Sequence, residues 1–285
     1  MAEIIQKDGT WTFDGDTVRI VPGRDKGVSL LRRTLGEIAV PLGALAGISF
    51  EPGRKSGLLR LRLREGADPL LQITGGGLDD NSYPYRLNVE NDRAGVAEYF
   101  VDEVRGALLL EGTPDGPVDG YLLPGPPLPI TVGAGDGTAS FDGRTIRLEW
   151  TWHTDDKKSA GGPTTLALAA LHAVEWLPAR GLENGYVRFV TSMSAPRIPA
   201  DRDPQAVELN GFKKDPLMAL LASAVVARMP HPNAPAPAEP AALAPSGDDH
   251  DALLRRLREL GELHQSGILT DEEFSTAKQA VLKRL

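Results

Sequence analysis

Two pairs of adjacent cations, Arg32-Arg33 and Lys157-Lys158, are the residues of this 285-residue sequence whose type and spacing best suit a chemistry. Neighbouring guanidinium or ammonium groups in a loop can hold a phosphate or an anionic membrane surface through charge-assisted hydrogen bonds. The first pair lies in a cationic stretch. From Arg19 to Glu65 there are ten Lys and Arg against four acids, whereas from Asp79 to Asp119 ten acids face three Arg. A solvated strand face balanced by an acidic helix produces the same polarity and is the competing reading. Arg32, Arg33, Lys157 and Lys158 are accordingly the candidate anion-binding residues.

Other chemistries find less support. Thr74-Gly75-Gly76-Gly77 lacks the Lys-Ser/Thr that completes a phosphate-binding loop, and reads as a flexible hairpin loop. Asp79-Asp80-Asn81 and Asp155-Asp156 cluster oxygen ligands, yet neither continues into a calcium-binding loop. His153 lies near Asp155 and His172 sits in an apolar stretch, with no nucleophile or spaced carboxylate pair beside either. Cysteine is absent, which excludes disulfides, thiolate nucleophiles and Cys-ligated metals. The expectation is a protein that is not an enzyme, with no catalytic residues, no metal and no cofactor. A net charge of −8, from 31 basic and 39 acidic residues, argues against a nucleic-acid partner. No basic segment leads into an apolar one at the start, and the longest apolar run, Leu217 to Met229, falls short of the ~20 residues a spanning helix needs. The expected location is the cytoplasm, with peripheral membrane attachment left open.

The elements that would position these residues come from an internal duplication. Asp8 to Ile20 aligns with Asp136 to Leu148, eight of the 13 positions being identical. The match continues through Val40, Leu42, Leu45, Ile48, Phe50 and Pro52 against Leu166, Leu168, Leu171, Val174, Trp176 and Pro178, and pairs Gly57 with Gly185. Arg32-Arg33 aligns with Lys157-Lys158. Each copy reads as strands first and one helix last. Asp14-Gly15 and Asp142-Gly143 interrupt alternating apolar residues and suit a tight hairpin turn. Leu59 to Arg64 alternates strictly, so one strand face is apolar and the other cationic. Val96, Phe100, Val104 and Leu108 recur every four residues as the inward stripe of an amphipathic helix. In copy two, Asp215-Pro216 announces a helix with apolar residues on every side, a pattern expected of burial on both faces, against copy one or another subunit.

Two segments follow. Pro230 to Pro245 carries six Pro and six Ala in 16 residues and reads as an extended linker. Beyond it, Leu253, Leu257 and Leu260 form a helical stripe, Thr270 and Glu273 make a capping box, and Leu269, Phe274 and Val281 continue the apolar face. Two helices this short bury too little area to order themselves, since chains below ~40 residues need outside support. A homo-oligomer or a protein partner engaged through residues 250–285 is the expected answer.

The tail, with Gly267-Ile-Leu-Thr-Asp-Glu-Glu-Phe274 followed by Lys278 and Leu282, resembles the bacterial short C-terminal domain, SHOCT. That resemblance implies an interaction or oligomerisation module without catalytic residues. The two copies, with their paired Phe-Asp-Gly motifs at 13–15 and 141–143, resemble the tandem bacterial domain-of-unknown-function family 4429. This implies an α+β fold of two tandem pleckstrin-homology-like antiparallel β-barrels, each closed by a C-terminal helix. Periodicity alone does not separate that fold from other α+β arrangements. The expected boundaries are 1–110 and 128–229 for the copies, 230–249 for a disordered Pro/Ala linker and 250–285 for the helical hairpin. Function is expected to be non-enzymatic binding or scaffolding, with an anionic-ligand or membrane sensor as the alternative.

Overall fold

Strict alternation of apolar and polar residues builds the strands of copy one. In β1 (Ala2–Gln6), β2 (Gly9–Phe13) and β3 (Thr17–Pro22), the side chains of Ala2, Ile4, Trp11, Phe13, Val18 and Ile20 turn inward while their neighbours face solvent. With β4 (Ile38–Pro41) they form a four-stranded antiparallel sheet in the order β1-β2-β3-β4. A second sheet follows from β5 (Leu45–Glu51), β6 (Ser56–Leu63) and β7 (Arg86–Glu90). The closing helix α3 (Ala94–Glu111) buries Ala97, Phe100, Val101 and Val104 against these sheets. Phe100 meets Trp11 and Phe13 edge-on, with ring centroids 6.3 and 6.5 Å apart. Val96 and Leu108, the ends of the expected stripe, are only partly buried.

The structure, a computed structural model, describes residues 1–152, 154–192, 198–211, 214–235, 257–266 and 270–282. His153, Leu253 and Leu269 lie outside the described residues, as does most of the Pro/Ala linker.

Copy two repeats the plan. Strands β8 (Ile130–Ala134), β9 (Gly137–Phe141), β10 (Thr145–Trp150) and β11 (Thr164–Ala167) make the four-stranded sheet. Strands β12 (Leu171–Leu177), β13 (Gly185–Thr191) and β14 (Ala206–Leu209) make the three-stranded one. The aligned glycines have matching duties: a Cβ at Gly57 would strike the Phe50 ring, and one at Gly185 the Leu177 carbonyl. Irregularity repeats too. The β5–β6 register slips between Leu45 and Gly47, and the β12–β13 register between Leu171 and Ala173, which leaves His172 exposed in a bulge. Among the described residues neither copy closes its strands into one barrel; each divides them four and three.

Three short helices interrupt the strands, and periodicity did not announce them: α1 (Leu30–Leu35), α2 (Pro69–Thr74) and α4 (Asp156–Ser159). The Gly75 to Gly77 run, expected in a hairpin loop, follows α2 directly, Gly75 taking the left-handed conformation that ends it. Helix α5 (Pro216–Val226) closes copy two and is buried from Met218 to Val225. Its inner face packs on β8, β9 and β12, and its outer face on α1 and α2 of copy one. The expected burial on both sides is thus met by copy one. Asp215 does not cap α5 with its side chain; its carboxylate accepts the Gly211 N–H at 2.7 Å.

The chain divides into two units, Met1–Ala234 and Pro235–Leu285. Both copies belong to the first, along with the opening residues of the proline-rich segment: the His231 ring contacts the Gly66 carbonyl oxygen at 3.0 Å, and Asn233 donates to the Val118 carbonyl. The second unit holds helix α6, described over 257–265, and α7 (Asp271–Leu282). Its capping box forms as expected. The Thr270 N–H donates to the Glu273 carboxylate at 3.1 Å and the Glu273 N–H to the Thr270 hydroxyl at 3.4 Å. His264 links the two helices, reaching Asp271 at 2.7 Å and stacking on Phe274 at 4.5 Å between ring centroids.

Candidate functional site

Each short helix after β3 and β10 delivers one cation to the interior. Ser29 caps α1, accepting the Arg32 N–H at 3.2 Å, and Asp155 caps α4, accepting the Lys157 N–H at 2.8 Å. Counting three residues on from each cap gives Arg32 and Lys158, so the structural equivalence is shifted by one from the sequence alignment. Both side chains are turned inward, with residue exposures of 3 % and 2 %. Arg33 and Lys157, one position to either side, are exposed. The four basic residues therefore do not share a surface.

The buried pair has internal partners. Arg32 donates to the Asp8 carboxylate at 2.8 Å and, through its other terminal nitrogen, to the carbonyls of Asp8 and Arg86 at 3.2 Å each. Lys158 donates to the Asp136 carboxylate and to the Ala200 carbonyl, with its ammonium 4.6 Å from the centroid of a Trp150 ring. The second carboxylate oxygen is used alike in both copies: Asp8 accepts the Asn88 N–H at 3.1 Å, and Asp136 accepts the Glu208 N–H at 2.8 Å. Asn88 lies on β7 and Glu208 on β14. One aspartate at the first hairpin turn thus ties three elements together: its own sheet, the last strand of the other sheet, and the short helix. A buried cation held this way needs its carboxylate, because an unpaired charge in that environment is strongly penalised. Asp8 and Asp136 escaped selection from the sequence, although their identity within the aligned 13 residues was the available signal.

Several other carboxylates have structural roles. Asp79 accepts the N–H groups of Asn81 and Ser82, a turn built on a carboxylate. Asp14 and Asp142 do the same in equivalent hairpins, and those N–H bonds hold both carboxyls below the usual range. Asp68 caps α2 from a buried position and receives the Tyr85 hydroxyl at 2.7 Å. Burial pushes its carboxyl up against those hydrogen bonds, and burial together with the Asp68 charge raises Tyr85 well above its ordinary value. Among the described residues no group of three or more His, Asp or Glu is placed to hold a metal ion. No helix among them is long and apolar enough to cross a membrane.

In the C-terminal unit, Leu257, Leu260, Phe274 and Val281 are all partly exposed, and no described residue of α6 or α7 with an assigned side chain is buried. Their spacing places an apolar stripe along the two helices.

Comparison with protein families matches the duplicated sheets and the tail separately. A model described as domain of unknown function (DUF4429) matches residues 11–105 and 139–226, well over half of the chain. The chain belongs to the DUF4429 family. Its two matched segments begin on β2 and β9 and reach into α3 and to the end of α5, so each DUF4429 match takes in three strands of the four-stranded sheet, the whole three-stranded sheet and the closing helix, with β1 and β8 lying before the matches. The short C-terminal domain, SHOCT, matches residues 255–282, which include the described parts of both tail helices. No curated protein matches the chain.

Proposed function

We propose that this DUF4429 protein is a non-enzymatic scaffold, whose tandem body presents binding surfaces and whose SHOCT tail joins it to a second copy of the same chain. The single observation that carries the reading is the partly exposed stripe of Leu257, Leu260, Phe274 and Val281, which the two helices cover incompletely. Covering the remaining apolar surface of each adds a fraction of the roughly 1.5–3 kcal/mol that full burial of an exposed apolar side chain gives. A second hairpin supplies the same stripe in return, as a two-fold contact requires. Each copy of the body is read as an open pleckstrin-homology-like unit, supported by the order of four strands, three strands and helix occurring twice. Linking two such bodies multiplies whatever weak contacts they make, because the second contact becomes intramolecular.

Light scattering coupled to size exclusion tests the assembly. The full chain should elute at a multiple of its 30.5 kDa mass, and a chain ending at residue 245 should elute as a monomer. An unchanged subunit number after the deletion would sink the assembly reading.

A further inference from the structure

The outward face of β6, which the alternating Leu and Arg pattern singled out, holds an arrangement that the scaffold reading does not use. Arg60 on β6 stands directly opposite Arg86 on β7, and Arg62 follows on the same face of β6. Like charges directly opposite across a sheet repel, because their Cβ atoms are only ~5 Å apart. What relieves the repulsion is Asp80. One of its oxygens lies 3.3 Å from an Arg60 nitrogen and 3.6 Å from an Arg86 nitrogen. This is a poor match. A well-fitted guanidinium–carboxylate pair is bidentate with contacts near ~2.8 Å, whereas here a single oxygen is shared at longer range. The Asp80 side chain is also 77 % exposed, so moving it aside uncovers little apolar surface.

Beside this contact lies a cavity of about 630 Å³, lined by Arg60, Arg62, Ser49 and Tyr83 together with the acids Glu51 and Asp80. Arg86 stands behind Asp80, its side chain 11 % exposed and also bonded to Asn88. The three arginines outnumber the two acids by one charge while Asp80 is in place, and by two once it swings away. Ser49 and Tyr83 contribute to the same wall.

We infer that this groove binds a phosphate group, and that Asp80 is a built-in substitute which the phosphate displaces. A phosphate monoester carries close to two negative charges and three acceptor oxygens, so it can satisfy Arg60, Arg62 and Arg86 together where Asp80 shares one oxygen between two of them. The site lies on the three-stranded sheet of copy one and owes nothing to Arg32 or Lys158, which are committed to internal carboxylates. It stands or falls apart from self-assembly through the tail.

Calorimetric titration of the full chain with inorganic pyrophosphate at fixed ionic strength tests it, alongside Asp80→Asn and the double variant Arg60→Gln/Arg62→Gln. Removing the competing carboxylate should tighten binding about ten-fold, and removing the two arginines should weaken it at least about ten-fold. Asp80→Asn should also melt at a lower temperature than the unaltered chain in chloride, and recover in pyrophosphate. If Asp80→Asn binds no more tightly than the unaltered chain, the displacement idea is wrong, and this variant decides the matter even if the double variant does not fold. Equal affinity in a folded double variant would overturn the site itself. Sedimentation with phosphatidylcholine vesicles, with and without phosphatidic acid, separates the sources. Binding to the phosphatidic acid vesicles that pyrophosphate reverses assigns a lipid headgroup, and pyrophosphate binding without vesicle binding assigns a soluble phosphate.

Discussion

A lysine ammonium almost out of reach of water must be paired, since stripping it of solvent costs several kcal/mol that only hydrogen bonds and an opposite charge can return. Lys158 meets this requirement with Asp136, the Ala200 carbonyl and the Trp150 ring, as Arg32 does with Asp8 and two carbonyls. Removing the cation alone strands a carboxylate that is 4 % exposed. Lys158→Met should therefore lower unfolding free energy by about 3–5 kcal/mol. Its exposed neighbour gives the contrast: Lys157→Ala should change stability by no more than about 0.5 kcal/mol. The double variant Asp136→Asn/Lys158→Met should lose less than the sum of its single variants, a coupling readable in chemical denaturation. Additive losses would mean that the two groups do not act as a pair. The basic residues were visible in the sequence, but their direction was not. Which of two adjacent cations turns inward depends on the helix cap three residues earlier, and neither α1 nor α4 is long enough to leave a periodic trace.

Helix α5 shows at the scale of an element how much of the fold could be read in advance. Its apolar residues on all sides required cover on both faces, and the 3.6-residue spacing placed it between Asp215 and Met229. The surface that covers it was not legible, because α1 and α2 are each six residues long and come from the other copy. Leu31 and Leu70, 1 % and 2 % exposed, belong to the apolar core of copy two although they lie in copy one. Trimming Leu70 to Ala removes three carbons from a filled site and should cost about 2–4 kcal/mol. The diagnostic consequence is where the loss appears: amide hydrogen exchange should quicken in α5 and β8, over 50 residues away in sequence. Faster exchange confined to α2 would show that the two copies are energetically separate. The strand alternation, the duplication and the Thr270–Glu273 capping box were all readable, since each depends on residues near one another in sequence. The division of strands into four and three was not. It depends on which strands pair across a slipped register at Leu45 and Leu171.

The two copies are alike in plan and unlike in self-sufficiency, and this asymmetry governs how the 1–234 body holds together. The core of copy one is built from residues between Ala2 and Leu123, all its own or from the connector that follows it. That of copy two borrows Leu31 and Leu70, with Leu35, Ile73 and Leu78 packed beside them. Separated from copy one, copy two would carry α5 with one face bare, and such an apolar patch drives association in water. Residues 1–127 expressed alone should fold with a cooperative melt, since their own core is complete, with the Leu31 and Leu70 face left bare. Residues 128–229 alone should aggregate or bind a hydrophobic dye such as ANS, and addition of the 1–127 fragment should suppress both. The intact body should unfold in one transition by circular dichroism and by tryptophan fluorescence, since Trp11 reports copy one, and Trp150 and Trp176 report copy two. Two separated transitions, or a soluble 128–229 fragment indifferent to dye, would show that the shared leucines contribute little. The tandem would then be two independent domains in series rather than one folding unit.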